Sequence, residues 1–392
     1  MKISFAHIGA ATLAMERLLK DLGHEVIAPL QPTARTFSLG AIHSPEFACI
    51  PFKILMGTYL ESMERGADAL LSAGGRGPCR AGYYGEIHVR ILRELGYAPQ
   101  MFFIWPPYKV PLDTYKKLNK LRGRTSWIQL AQVIKKAWKM VMAIDDLELF
   151  SHRVRPLERE KGSTTKAFNK ALGYIKEART EEEIAEARDA GMLTLKKVPT
   201  VSERNILRVG IVGEIYVQIE PTANFFLEET LGEMGVECHR SIFLTNFVRH
   251  DVFSRHGDLN AKELAKPYLP EKIGGHGQNS IGDVVKFAAH GFDGVIQLAP
   301  FTCIPEIVAK SMMPHLSREL NIPVLTLFID EQTGRGGIET RLEAFVDLMR
   351  QKRVREEVNS DNETFAQVAS ASTFSFPQKQ KKYRDILVGK AE

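Results

Sequence analysis

The chain has 392 residues, 44% of them hydrophobic and 25% charged, with 52 Lys and Arg against 47 Asp and Glu for a net charge of +5. These are average globular proportions for two or three domains, which exclude a disordered chain, a collagen-like chain and a membrane bundle; the small positive balance is no footprint for nucleic acid. Four cysteines (Cys49, Cys79, Cys238 and Cys303) are too few for a disulfide scaffold and read as reduced thiols of a cytoplasmic protein.

Lys2 and the run from Ile3 to Met15 superficially resemble a signal peptide, but His7 interrupts the run and Glu16, Arg17 and Lys20 follow at once. The segment reads instead as a first strand turning into an amphipathic helix. No uncharged apolar stretch reaches the ~18–20 residues that a membrane-spanning helix needs. Along the first hundred residues, strand and helix signals alternate. Strands are expected at Ile3–Gly9, His24–Leu30, Ala69–Ala73 and Met101–Trp105, and helices at Ala11–Gly23, Pro51–Gly66 and Glu86–Gly96. Gly23 suits a C-cap, and Pro51 suits the first turn of its helix. Such alternation means βαβ units and a mostly parallel sheet.

Residues 108–205 lose the strand signals and carry long helical patterns, such as Thr125–Ile144 and Thr164–Ala178. The stretch from Lys109 to Lys139 is basic, with Asp113 its lone acid. It reads as a solvated helical face, with phosphates of coenzyme A or an acidic partner as the functional alternative. A second α/β unit follows, with strands at Val209–Gly213, Asp293–Leu298 and Pro323–Asp330. Its helices are expected at Asn224–Gly235, N-capped by Asn224, and at Pro305–Leu320 and Ile338–Arg350. The expected organisation is an α/β domain over 1–107, a helical insertion over 108–205, a second α/β domain over 206–354 and a polar tail or docking arm over 355–392. The two α/β units are Rossmann-like, and a site between them is expected. The two halves are alike in kind, without aligning well in sequence.

Doubly wound sheets bind ligands beyond the carboxyl ends of their strands. Cys79 lies after an expected strand, in Ser72-Ala-Gly-Gly-Arg-Gly-Pro-Cys-Arg-Ala-Gly-Tyr-Tyr-Gly85. Cys303 lies between a strand and a helix, in Gln297-Leu-Ala-Pro-Phe-Thr-Cys-Ile-Pro-Glu306, and Cys49 just before a helix, in Glu46-Phe-Ala-Cys-Ile-Pro-Phe-Lys53. The shared Cys-Ile-Pro of Cys49 and Cys303 puts each thiol at a helix N-terminus, where dipole and free N–H groups favour the metal-binding thiolate. Any one cysteine is more often a small core residue than a ligand, and Cys238 reads that way. Three at such loops point to a metal or cluster. Their wide separation excludes a zinc ribbon and suits a cluster held between domains. Three thiolates leave one coordination position open, and sulfur ligation alone leaves iron–sulfur and zinc both in play.

Gly74, Gly75 and Gly77 lack the Gly-Lys-Ser/Thr ending of a phosphate loop and read as room for close backbone approach to whatever Cys79 binds. Glu214 at a strand end, His276 and Gln278 in Gly274-Gly-His-Gly-Gln-Asn-Ser280, and Glu331 are the candidate catalytic or cluster-facing residues, with Arg335 expected in the same cleft as Glu331.

Together, Cys49-Ile-Pro-Phe-Lys53, Gly74-Gly-Arg-Gly-Pro-Cys-Arg-Ala-Gly-Tyr-Tyr-Gly-Glu86, Gly210-Ile-Val-Gly-Glu-Ile-Tyr216, Gly274-Gly-His-Gly-Gln278, Pro300-Phe-Thr-Cys-Ile-Pro-Glu306 and Pro323-Val-Leu-Thr-Leu-Phe-Ile-Asp-Glu331 carry a resemblance. Over roughly residues 1–350 the chain resembles the 2-hydroxyacyl-CoA dehydratase D-component superfamily. That group includes benzoyl-CoA reductase subunits, double-cubane cluster proteins and a branch labelled CoA-substrate-specific enzyme activase-related. The resemblance implies two α/β domains with a [4Fe–4S] cluster between them, ligated by Cys49, Cys79 and Cys303. It also implies an ATP-dependent activase-type partner that injects a low-potential electron, an acyl-CoA substrate and a homo- or hetero-dimer. In the dehydratases that electron makes a ketyl radical of a 2-hydroxyacyl-CoA, which then loses water. Departures are the tail after about residue 355, too few cysteines for a double cubane, and no nameable acyl-CoA pocket. A non-catalytic assembly or regulatory protein of the same fold and a zinc-dependent hydrolase are the rival readings.

Overall fold

The computed structural model describes residues 1–73, 79–104, 111–201, 205–249 and 259–369. Gly74, Gly75, Gly77, Trp105 and the end of the polar tail, 370–392, lie outside the described residues.

The chain is α/β, with two four-stranded sheets whose strands are all parallel. In the first unit, β1 (Lys2–Phe5), α1 (Thr12–Asp21), β2 (Glu25–Val26), α2 (Ala34–His43), α3 (Ile50–Glu64), β3 (Ala69–Ala73), α4 (Tyr84–Glu94) and β4 (Gln100–Ile104) follow one another, and the strand order is β2-β1-β3-β4. The second unit runs β5 (Leu207–Gly213), α9 (Ile215–Ile219), α10 (Leu227–Glu233), β6 (Val236–Arg240), α11 (Leu244–Phe247), α12 (Leu259–Ala265), α13 (Gly277–Ala289), β7 (Gly294–Pro300), α14 (Ile304–Glu319), β8 (Val324–Ile329) and α15 (Arg335–Ala369), with order β6-β5-β7-β8. The two sheets therefore share one winding. β1 and β5 correspond, and so do β3 and β7. In the first sheet Ile3 pairs with Ala69 and Leu71 with Phe102, and in the second Val209 pairs with Gly294 and Ile296 with Leu325.

Between the two units lie α5 (Pro111–Leu121), α6 (Trp127–Val154), α7 (Ser163–Glu177) and α8 (Glu181–Lys196). At 28 residues, α6 is about 42 Å long and runs well past the expected Ile144. Met140, Ile144 and Leu147 of α6 pack with Ile175 of α7, Ile184 and Leu195 of α8, and Ala14 of α1. The other end of α6 meets the second unit. Glu148 bonds Arg240 of β6 at 2.6 Å, and Asp145 accepts from the backbone N–H and hydroxyl of Thr245.

The helix that joins the sheets is α3. All its residues are buried except Leu55, Met63 and Glu64. A helix apolar on every side belongs inside a protein. Ile50 and Ile54 enter the core of the second unit with Val209, Ile211, Leu298 and Leu327, while Met56, Tyr59 and Leu60 pack with Leu70 and Leu92 of the first. Its polar groups are paired. Lys53 Nζ meets Glu331 Oε1 at 2.5 Å across the units, and Glu61 accepts from Thr36 at 2.9 Å. His7 Nδ1 also faces Glu220 Oε2 at 2.5 Å between the units.

Several expectations are corrected. The second strand is only Glu25–Val26. Helix α2, begun by a reciprocal Thr33–Thr36 capping box, was not expected, and neither were α9, α11 and α12. Asn224 is not the N-cap of α10. It lies three residues before Leu227, accepting from the Leu227 N–H and donating to the Val217 carbonyl, while Phe226 holds the cap position at φ 57°. The last helix does not end at Arg350 but continues to Ala369. Lys352–Glu356 pairing and the Arg353–Asp293 contact allow a polar sequence to stay helical.

The Lys53–Glu331 pair is asymmetric, with side-chain exposures of 4% and 27%. Glu331→Gln strands a buried ammonium and is expected to lower the unfolding free energy by about 3 kcal/mol in chemical denaturation. Lys53→Met leaves only the partly hydrated carboxylate and is expected to cost less than about 1 kcal/mol. Equal losses would contradict the assignment of this pair as the buried clasp.

Candidate functional site

Cys49, Cys79 and Cys303 all stand at helix N-caps. Cys49 caps α3 and Cys303 caps α14, each with proline in the first turn, and Cys79 caps a short 3-10 turn, Arg80–Tyr83, that leads into α4. All three have extended backbones, which turn the chain from loop into helix. Cys79 follows β3 and Cys303 follows β7, so they occupy corresponding places in the two sheets.

One side chain ties the three loops together. Arg80, next to Cys79, donates to the Phe47 carbonyl at 2.9 Å and to both the carbonyl and the hydroxyl of Thr302, the latter at 3.1 Å. The Thr302 hydroxyl also donates to the Phe47 carbonyl at 3.1 Å. Thr302 lies in the left-handed region at φ 68°. For a β-branched residue that conformation costs about 1–3 kcal/mol and persists only where neighbours over-determine it. Here the Arg80 fork and the Phe47 bond do so, immediately before Cys303.

Glu214 stands at the carboxyl end of β5. Gly213 precedes it at φ 132°, and a Cβ there would lie 2.1 Å from the Leu298 carbonyl, so only glycine lets β5 end this close to β7. Glu214 caps α9 through the Val217 N–H at 3.0 Å. Burial pushes its carboxyl up to about 7, and its charge raises all three thiols, so it shares one electrostatic neighbourhood with Cys49, Cys79 and Cys303.

Burial disfavours the thiolate form at all three cysteines. Burial pushes Cys49 up to about 11 and raises Cys79 and Cys303. The backbone N–H groups of Phe52, Ala81 and Glu306 pull the other way, as expected at helix N-termini, but desolvation is larger. In the metal-free chain the helix ends therefore lower these thiols less than burial raises them.

Tyr84, in the first turn of α4, hydrogen-bonds the Cys49 sulfur through its hydroxyl. Its ring stands edge-on to Phe52 at 5.1 Å, within a small core of Cys49, Phe52 and Tyr84. Burial raises its hydroxyl well above the usual phenol range. Beneath Cys303, Glu306 is fully buried, accepts from Ser280 at 3.1 Å and from Gln297 at 2.9 Å, and is pushed up to about 7 by burial.

The other candidates lie apart from the thiols' own contacts. Gln278 donates to the Leu269 carbonyl at 3.1 Å, and His276 packs against Phe247 at 5.8 Å. Their loop leans on the first turn of α14, where a Cβ at Gly277 would meet the Pro305 carbonyl at 2.4 Å. Glu331 is held by Lys53. Arg335 pairs with Glu339 in solvent. Cys238 is a core residue of β6, packed with Val209 and Leu231. Arg80, Tyr84, Thr302 and Glu306 were missed as site residues, although each lies within one of the cysteine motifs.

Among the described residues, the one group of metal-type ligand atoms within 4.8 Å of one another is Glu148, His152 and Glu228. Its cation is already present: the Arg240 guanidinium bonds Glu148 at 2.6 Å and Glu228 at 3.3 Å, and burial drives His152 down to about 3. The three thiols do not form such a group. Among the described residues, then, neither a zinc site nor a cluster site is shown at the three cysteines.

Compared with known proteins, the chain matches no family model and no curated relative. No helix among the described residues is long and apolar enough to cross a membrane.

In metal-free protein at pH 8, a thiol at about 11 carries about 100-fold less thiolate than one at its ordinary value near 9. Alkylation by iodoacetamide, followed by mass spectrometry, is expected to modify the more exposed Cys79 first. Cys49 should react slowly, with a rate still rising at pH 9.5, and Cys238 not at all in the native state. Rapid Cys49 modification at pH 7 would contradict the burial account.

Proposed function

We propose that this chain is a [4Fe–4S] protein of low-potential electron transfer or reductive acyl-CoA chemistry, related to the 2-hydroxyacyl-CoA dehydratase D-component superfamily. Cys49, Cys79 and Cys303 are the ligands, and an ATP-dependent activase-type protein is the electron donor. The observation that carries this reading is the Arg80 knot, which joins the loops of three N-cap cysteines from both α/β units. Such a cluster supplies one-electron chemistry, and three cysteine ligands leave one iron open to substrate or water.

The residues around the thiols suit that role. The N–H groups of Phe52, Ala81 and Glu306 stabilise negative sulfur, and the low exposure of Cys49 and Cys303, 7% and 8%, limits water. Glu214 and Glu306, both drawn towards neutral pH by burial, are the carboxyl groups that would hold or release a proton near the cysteines. Phe47, Tyr83, Phe301 and Ile304, near the cysteines in sequence, are exposed apolar side chains available to the donor protein or to a second subunit of a homo- or hetero-dimer. A cytoplasmic location belongs to the same proposal, since four unpaired thiols suit a reducing compartment.

Anaerobic preparation is expected to give about four iron and four sulfide per chain. Cys49→Ser, Cys79→Ser and Cys303→Ser should each lower that content, while Cys238→Ser should leave it unchanged. Zinc without sulfide would replace this reading by the hydrolase. Absence of metal, with no acyl-CoA turnover in the presence of activator, ATP and reductant, would replace it by a scaffold.

A further inference from the structure

The Tyr84 hydroxyl is the one side-chain group bonded to a candidate ligand sulfur among the described residues. Its position is set from several sides. Gly85 packs so closely on β4 that a Cβ there would lie 1.7 Å from the Phe103 ring, which brings the first turn of α4 down onto the sheet. Phe52, one turn into α3 from Cys49, holds the Tyr84 ring edge-on, and His88, one turn along α4, stacks on Phe52 at 4.0 Å. His88 is itself fixed through the Phe52 carbonyl at 3.1 Å. The hydroxyl therefore has little freedom to turn away from Cys49. Either group can donate while both carry protons; a sulfur bound to metal carries none, so the phenol would then be the donor.

We propose that Tyr84 is a positioning residue that sets the cluster's reduction potential by donating a hydrogen bond to the Cys49 sulfur. This rests on the iron–sulfur reading above and adds to it the residue that tunes the site. Reduction adds negative charge that spreads onto the ligand sulfurs. A donor at one of them stabilises the reduced form more than the oxidised form and raises the potential. The neighbouring Tyr83 is 65% exposed and serves as an internal control.

The test is a redox titration of anaerobically prepared protein, followed by electron paramagnetic resonance of the reduced cluster. Tyr84→Phe is expected to move the midpoint to more negative potential at unchanged iron and sulfide. Incorporation of 3-fluorotyrosine at position 84, a stronger donor of the same shape, is expected to move it to more positive potential, and Tyr83→Phe to leave it in place. A Tyr84→Phe midpoint equal to that of the unmodified chain at full iron content overturns the inference and leaves the iron–sulfur reading standing. The same follows if Tyr83→Phe shifts the midpoint equally. An unmodified chain that holds no iron and sulfide overturns the parent reading, and this inference with it.

Discussion

The burial of α3 between the two sheets is the constraint on which the rest depends. A helix with Ile50 and Ile54 in one core and Met56, Tyr59 and Leu60 in the other cannot be withdrawn from either unit without exposing large apolar groups. Each such side chain is worth about 1.5–3 kcal/mol when fully buried. Its first turn therefore arrives at a fixed place, at the carboxyl ends of both sheets. Cys49 is its N-cap, and Phe52 and Lys53 point from it to Tyr84 and Glu331.

That placement has an electrostatic consequence. Three thiols, a phenol and two carboxyl groups are gathered where water is scarce, and their ionised forms all carry the same sign. In the metal-free chain desolvation favours their protonated forms and outweighs the helix N-termini at the thiols. The Arg80 guanidinium is the cation at the rim, and it is spent on backbone carbonyls that knit the loops together. If the three cysteines hold a cluster as proposed, metal binding would displace those protons. The Glu148–Arg240–Glu228 network meets the same difficulty differently: the protein supplies its own buried cation there, and the result is a joint between α6 and the second unit.

Much of the fold was legible because its signals are local. Inner strands such as Ala69–Ala73 and Val209–Gly213 are apolar runs bounded by turns, and α3 carries proline at its start and Gly66 beyond its end. Short elements were lost where tertiary packing overrides local pattern. Helix α2 has little amphipathic contrast and depends on its Thr33–Thr36 cap and on contacts to α3, and α10 begins only after two consecutive left-handed residues, Phe225 and Phe226. The three ligand candidates were legible because each precedes a helix. Arg80 and Thr302 were not, because their role is a contact across 222 residues of sequence. Lys53 gave no sign of being buried, since its partner lies in the other unit. The common winding of the two sheets was hidden for a related reason: strand order is a long-range property that survives after sequence likeness is gone.

The central claim is that Cys49, Cys79 and Cys303 converge on one iron–sulfur cluster at the meeting of the two units. The most direct measurement is anomalous X-ray diffraction at the iron edge from crystals grown without oxygen. The account predicts a single compact iron peak bounded by these three sulfurs, with Glu214 and Tyr84 beside it. An iron peak elsewhere, or a chain crystallised under these conditions with no iron at the three cysteines, would contradict it.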